Sequence, residues 1–415
     1  MGTLAYHIFL LIYIGAAKVF ALFNRKARSF INGRKHLLQK VKETFEFLNE
    51  RVIWFHCASL GEFEQGRPVL ERLRRDFPDH KFLLTFFSPS GYEVRKNYAG
   101  ADYVFYLPFD FPSQARQFVA AVKPVLAVFI KYEFWPNFFF ELHKKQVPII
   151  SVSSIFRRGQ IFFSFFGGHA RDTLRTVDYF FVQNQRSVDL LNSIGRKNVL
   201  ISGDTRFDRV FQITQERQDI ATAKRFKTNQ QCWVIGSCWP EDMEVLAHFI
   251  NANQGKLKFI IAPHEISESF ILEIIQSLEV KSIRYSKAGA DLENASVMIV
   301  DNVGLLSRLY RYGEFAYVGG GFGKGLHNIL EAACYGIPVF FGNKNYEKSQ
   351  EAIDLVAQGG AFAVSGFVDL KSQYEMLAGL PENYQVACNA SRNYVEINLG
   401  ATEKIVSYCE KLLKK

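Results

Sequence analysis

Glu62 stands where an apolar, β-rich run gives way to a helical pattern: residues 52–57 lead through Ala58-Ser59-Leu60-Gly61 into a helix beginning near Glu62. Small residues and a glycine at a strand-to-helix turn let the backbone approach a ligand, and a first-turn carboxylate sits where parallel sheets present their ligands. Glu62 is a candidate general base, although a first-turn Glu also serves the helix dipole. A second constellation, GGGFGKGLHNILEAACYGIPVFFGN, carries glycines at 319, 320, 321, 323 and 325 before a helix starting around His327 or Asn328. Free N–H groups in such a turn, among them those of Gly320 and Gly321, form an anion site with a helix N-terminus, and Lys324 adds a point charge. Glu331 is placed to accept from ribose hydroxyls, and Asn328 either caps the helix or touches the nucleotide. Ser237 and His264 follow two further strand candidates: Ser237 suits a phosphate or an N-cap, His264 a phosphate or a stacked base. Glu133 in KYEFWPN is placed to orient an acceptor, and Arg157 and Arg158 in SVSSIFRR suit the phosphates of an anionic lipid headgroup.

These residues need elements to hold them. Short apolar runs alternate with helical patterns, as in parallel sheets with crossover helices. The strand candidates are 52–57, 82–87, 103–106, 125–130, 148–152, 179–182 and 199–202, then 233–236, 259–262, 297–300, 315–318 and 338–341. A polar segment at 208–231, containing TQERQ and KTNQQ, separates the two groups. The expected organisation is an apolar anchor at 1–24, a basic linker at 25–50, Rossmann-like domains at 51–215 and 216–390, and a terminal helix at 391–415 returning to the first domain. The 4–23 stretch is apolar except for His7 and Lys18 and is followed by Arg25, Lys26 and Arg28. About 20 such residues just span a bilayer. With the charges after the apolar run, it reads as an uncleaved anchor with its basic flank on the cytoplasmic side, a buried core helix being the alternative. IFFSFFGG at 161–168 suits either a membrane-dipping loop or the core.

A chain of 415 residues with 48% hydrophobic and 22% charged residues supports two domains with real cores. Its net charge of +9 is concentrated near the start, where the first 51 residues hold nine Lys/Arg against three Glu. A basic segment beside an apolar one points to an anionic membrane surface and not to nucleic acid. Forty phenylalanines point to aromatic surface meeting something other than water. Six scattered cysteines, without a CxxC pair, fit a reducing cytoplasm, and neither HExxH nor a Cys/His cluster offers a metal site.

Taken in order, SLGEFEQGRPVLERL, SPSGYE, YLPFDFP, KYEFWPN, QNQRSVDLLNSIGRKNVLISGDTRFD and VGGGFGKGLHNILEAACYGIPVFFGN resemble the Kdo (3-deoxy-D-manno-octulosonic acid) transferases of lipopolysaccharide biosynthesis. The resemblance implies an α/β, GT-B-type glycosyltransferase: two Rossmann-like domains, the first for the acceptor and the second for the nucleotide sugar, plus the N-terminal membrane-anchor helix. It implies transfer of Kdo from CMP-Kdo to a lipid A precursor at the cytoplasmic face of the inner membrane, with no metal or other cofactor. It places the catalytic glutamate on Glu62 and the nucleotide contacts on Pro263 and His264, on Val303, Gly304 and Leu305, and on Asn328, Ile329, Leu330 and Glu331. Where the family usually has Arg-His this chain has Pro263-His264, and Lys131 replaces a frequent acid. The rival expectations are a lipid-acceptor transferase using a UDP-sugar and a sugar-nucleotide epimerase on the same fold.

Overall fold

The computed structural model describes residues 2–216 and 219–414. Met1 of the expected anchor, Lys415 of the expected terminal helix, and Arg217 and Gln218 within TQERQ lie outside the described residues. The chain divides into two compact units, one running to Arg209 and completed by the residues from Leu399 onward, the other Val210–Asn398.

The first unit is built on seven parallel strands: β1 Val52–Cys57, β2 Lys81–Phe86, β3 Tyr103–Tyr106, β4 Pro124–Ile130, β5 Ile149–Ser154, β6 Tyr179–Val182 and β7 Val199–Ile201, in the order β3-β2-β1-β4-β5-β6-β7. Strands such as VIWFHC and PVLAVFI are near-continuously apolar because helices cover both faces of the sheet. Much of the phenylalanine surplus is spent here: Trp54 packs against Phe118, Phe129 and Phe138 with ring centroids 5.1–5.8 Å apart. The second unit repeats the plan with β8 Cys232–Cys238, β9 Lys258–Pro263, β10 Ser282–Arg284, β11 Val297–Ile299, β12 Phe315–Val318, β13 Val339–Gly342 and β14 Ala361–Val364, ordered β10-β11-β9-β8-β12-β13-β14 and again all parallel. In both sheets the order reverses beside the unit's first strand, between β1 and β4 and between β8 and β12, where a crevice opens at the strands' carboxyl ends.

Two strands lie outside the sequence expectation. β10 is three residues set among charges, whereas β14, AFAV, is as long as β12 and wholly apolar but follows Gly359-Gly360 and has alanine, a residue depleted in strands, at two of its four positions. Two helical expectations are corrected. The helix of the glycine-rich segment begins at Leu330 and is one turn long, Leu330–Ala333. The terminal stretch is two helices, Pro381–Ile397 and Ala401–Leu413, because Gly400 takes φ +98° and the Asp208 carboxylate caps the second by accepting from the Gly400 and Thr402 amides at 2.7 and 2.6 Å. Ile405, Val406 and Cys409 of that last helix are fully buried in the first unit's core.

Residues Gly2–Phe20 form a helix long and apolar enough to cross a membrane by length and composition. It buries only Leu10 and Ile14 and leaves Leu4, Ile8, Phe9, Leu11 and Ile12 exposed. Tyr6 donates to the Asp110 carboxylate at 2.8 Å, and His7 and Asn137 lie 3.2 Å apart, so one face of this helix is seated on the first unit. The aromatic loop at 161–168 divides: Phe162 and Phe163 pack on Phe156, whereas Phe165 and Phe166 are about nine-tenths exposed.

Candidate functional site

Residues of opposite chemical character gather at the crevice of each sheet. In the first unit the helix after β1 runs Leu60–Asp76 with Ser59 as its N-cap residue, so it starts two positions before Glu62. Ser59 makes no side-chain cap; the cap is supplied in reverse, the Glu62 carboxylate accepting from the Ala58 amide at 2.5 Å. Burial pushes the Glu62 carboxyl up to about 7, the negative charge of Glu133 adds to the rise, and the Ala58 and Ser59 amides and the Lys131 ammonium oppose it. Lys131, Tyr132 and Glu133 follow β4, across the crevice from β1, and Lys131 holds φ +60°, which turns the chain sharply off the strand.

Glu133 is fixed by residues that sequence reasoning did not single out. The Trp135 indole N–H is shared between Glu133 Oε2 at 2.9 Å and His56 Nε2 at 3.1 Å. His56 is fully buried, and since Nε2 accepts from the indole, its proton sits on Nδ1, 2.8 Å from Thr85 Oγ1. Trp54 also donates to Thr85, at 2.8 Å. The network joins residues 54 and 56 of the central β1 to residue 85 of β2 on one side and to residues 133 and 135 after β4 on the other, and it leaves no local signal except the alternation of His56 with Trp54 along one strand face. Arg157 and Arg158 are exposed on the loop after β5, and the positive charge of Arg157 bears on the Tyr132 hydroxyl. The first unit thus carries a protonatable carboxyl at a crevice, a second acid beside it and cations nearby, a set able to move one proton and to hold an anionic substrate.

In the second unit β8 ends in a bulge at Ser237, whose φ of +53° departs from strand geometry. Ser237 is no helix cap: the next helix is Pro240–Ala252, entered through Trp239, whose amide donates to the buried Asp242 carboxylate at 2.9 Å. The Ser237 hydroxyl has no hydrogen-bond partner among the described residues. Asp242 also accepts from the Gly320 amide and the Tyr317 hydroxyl, each at 2.9 Å, and so ties the glycine-rich loop to the base of the sheet.

That tie revises the reading of the glycines. A Cβ at Gly319 would lie 2.3 Å from Ser237 O and one at Gly321 2.2 Å from Gly342 O, while Gly320 and Gly325 take φ of +91° and +123°. Close packing and backbone conformation therefore require four of the five glycines. The amides of Gly319, Gly320, Gly323, Gly325 and His327 are spent on internal bonds, which narrows the expected anion cradle. Of the two glycines first put forward for phosphate, Gly320 thus has its amide committed to Asp242.

Above this loop lies a stack that no local pattern announced. The Trp239 ring is 4.1 Å from His264, His264 is 4.5 Å from His327, and the Lys324 ammonium stands 4.1 Å over the Trp239 ring. The Trp239 indole donates to His327 Nε2 at 3.0 Å. Burial lowers both imidazoles, His327 to about 4, so at neutral pH the stack presents uncharged rings beside a single ammonium. Pro263 closes β9 and sets His264 into the stack, the His264 amide bonding to Cys238 O. Asn328 caps the one-turn helix through the Leu330 amide at 3.3 Å and donates to Glu331 at 3.3 Å. Ile329 and Leu330 are fully buried, backbone included, so neither is presented to a ligand in this structure. Val303 is exposed on the loop after β11, Gly304 turns at φ +90°, and Leu305 precedes a short helix. Among the described residues no group of three or more His, Cys, Asp or Glu could hold a metal ion.

Comparison with known proteins follows the same lines. Residues 35–209 match the family described as 3-deoxy-D-manno-octulosonic-acid transferase (kdotransferase). The chain is 27% identical over 340 residues to the 3-deoxy-D-manno-octulosonic acid transferase of Aquifex aeolicus, covering 81% of this chain and 88% of that one. It is 24% identical over 378 residues to the protein of the same name from Haemophilus influenzae, covering 88% and 87%. Among solved structures, the UDP-GlcNAc 2-epimerase of Neisseria meningitidis bound to UDP-GlcNAc superposes with a TM-score of 0.61 at 17% identity, covering 88% of this chain and all of that one. MurG of Acinetobacter baumannii superposes at 0.54 and 10% identity, covering 87% and 99%. At those identities the structural likeness concerns the fold alone.

Proposed function

Because this chain belongs to the 3-deoxy-D-manno-octulosonic-acid transferases and is a glycosyltransferase of GT-B-type fold, we propose that it transfers Kdo from CMP-Kdo to a lipid A precursor, inverting the anomeric centre. The observation that carries the mechanism is the Glu62 carboxyl, half-buried at the β1/β4 crevice beside Glu133 and raised to about 7. A base is most effective when its pKa lies near the working pH. In this reading Glu62 takes the proton from a glucosamine hydroxyl of the acceptor as that oxygen attacks the anomeric carbon. The bond to the CMP phosphate breaks with its electron pair, and CMP leaves as the anion. Glu133, held by Trp135, keeps the Glu62 carboxyl high and orients the acceptor, while Arg157 and Arg158 take acceptor phosphates.

The donor is assigned to the second unit. Lys324, the free hydroxyl of Ser237 and the uncommitted amides of the glycine-rich loop, that of Gly321 included, meet the phosphate; His264 offers a ring for the base, and Glu331 the ribose contact. The contacts assigned to Pro263, Val303, Gly304, Leu305, Asn328, Ile329 and Leu330 rest on the family resemblance. The apolar helix Gly2–Phe20 and its basic flank fit residence at the cytoplasmic face of the inner membrane, where a lipid acceptor is found.

The test is release of CMP from CMP-Kdo by the purified full-length chain, with and without a lipid A precursor. Acceptor-dependent release is the expected result. Turnover of a UDP-sugar in its place, with no action on CMP-Kdo, sinks the proposal and returns the epimerase or UDP-sugar transferase.

A further inference from the structure

At the foot of the first helix the surface of the first unit carries an open pocket of about 460 Å³ whose lining includes Lys18, Arg34, Lys35, His36 and Phe109. Arg34 is its floor. The guanidinium donates to the carbonyls of Phe30, Phe87 and Leu107 at 2.7–2.8 Å and lies 4.3–4.9 Å from the ring centres of Phe30, Phe87, Tyr106 and Phe109. Carbonyls and ring faces satisfy its hydrogen-bonding and π-contact geometry but carry no net charge. Among the described residues no carboxylate pairs with Arg34, and none with Lys18 or Lys35. Asp110, adjacent in sequence to the lining, is buried and committed to Tyr6, Asn137 and Phe138. The pocket therefore brings the desolvated Arg34 guanidinium together with two exposed lysines, Lys18 and Lys35, and among the described residues no carboxylate answers them; an incoming anion relieves the cost of burying the Arg34 charge.

Its position names the anion. Lys18 is on the apolar helix, and Leu22 and Phe23 just beyond it are 68% and 85% exposed, so whatever meets this edge is apolar on one side and anionic on the other. We infer that the pocket is a binding site for the phosphate headgroup of an anionic membrane phospholipid, held by Lys18, Lys35 and the Arg34 charge, with acyl chains along the exposed face of the first helix. Arg34 also links this site to the Glu62 crevice: Phe87, whose carbonyl it binds, packs 4.6 Å from Trp135, the residue that holds Glu133.

The inference rests on the membrane reading of the first helix, and the experiment separates the two. Full-length protein is floated with vesicles of phosphatidylcholine alone; failure to float removes the membrane reading itself. The same protein in neutral detergent is then titrated with fluorescent phosphatidylglycerol and fluorescent phosphatidylcholine. The expected result is tighter binding of phosphatidylglycerol, weakened about five-fold for each lysine removed in Lys18→Ala and Lys35→Ala. Arg25→Ala with Lys26→Ala, which removes the same charge outside the pocket, is expected to leave that binding unchanged. Equal losses in the two pairs, or equal affinity for the two lipids, overturn the site in favour of diffuse attraction. Stabilisation by inorganic phosphate alone as large as that by phosphatidylglycerol overturns the lipid as its occupant. An acceptor KM raised in the lysine pair overturns it in favour of the acceptor's own phosphates.

Discussion

Glu62 and Glu133 give the sharpest expectations because each can be changed without changing shape. Glu62→Gln should lower kcat by roughly 10²–10⁴, the range for losing a positioned base, while CMP-Kdo still binds. The wild-type kcat/KM should rise with pH through the Glu62 value of about 7, since the base acts ionised. Burial is the larger cause of the Glu62 rise, and Glu133→Gln removes the neighbouring charge that adds to it, so that limb should move to lower pH; an unmoved limb separates Glu133 from the titration. Stability carries the opposite sign. A carboxyl raised from 4.5 to about 7 in the fold binds its proton more tightly when native, so its contribution is present below pH 4.5 and is lost as pH rises through 7. The thermal midpoint of Glu62→Gln should therefore exceed that of wild type at pH 8 and match it at pH 4. A midpoint lowered at both, with turnover kept, assigns Glu62 to capping alone. The position of Glu62 was legible from the strand, the small residues and the helix that follow one another in sequence. Its environment was not, because Glu133, His56 and Trp135 approach it only through the pairing of β1 with β4.

The glycine-rich loop shows the same limit one level up. Its five glycines read as a phosphate cradle, and four of them prove to be demanded by packing against Ser237 and Gly342 or by positive φ. Sequence shows that a backbone must come close to something, and only the fold shows that the something is its own sheet. Gly319→Ala should consequently be severe, its Cβ meeting Ser237 O at 2.3 Å, with loss of soluble, folded protein as the readout. Asp242→Ala leaves the Trp239 and Gly320 amides and the Tyr317 hydroxyl without their acceptor, at about 1–3 kcal/mol each, and should lower the thermal midpoint and raise the donor KM together. A normal midpoint with a normal KM removes Asp242 as the loop's anchor. The strands around this loop were legible where β-branched and aromatic residues ran together; β10, three residues among charges, and β14, with alanine at two of its four positions after a Gly-Gly pair, were not.

For the molecule as a whole, the ordered motifs carried the family, and the alternation of strand and helix carried the two parallel sheets. Seating of the first helix was not readable, since it depends on Tyr6 meeting Asp110 and His7 meeting Asn137 more than a hundred residues away. Deleting residues 1–24 should leave a folded protein with weakened membrane association, because Asp110 keeps its bonds from the Asn137 and Phe138 amides. An insoluble or unfolded product makes the segment part of the core. The final helix has a consequence in time. Ile405, Val406, Cys409 and Leu413 complete a core whose other buried members precede residue 182, so the first unit cannot close until the last helix is present, while Val210–Asn398 holds all of its own core. A chain truncated after residue 398 and released should show the later unit resistant to protease and the earlier one cleaved, reversing the order in which they were made.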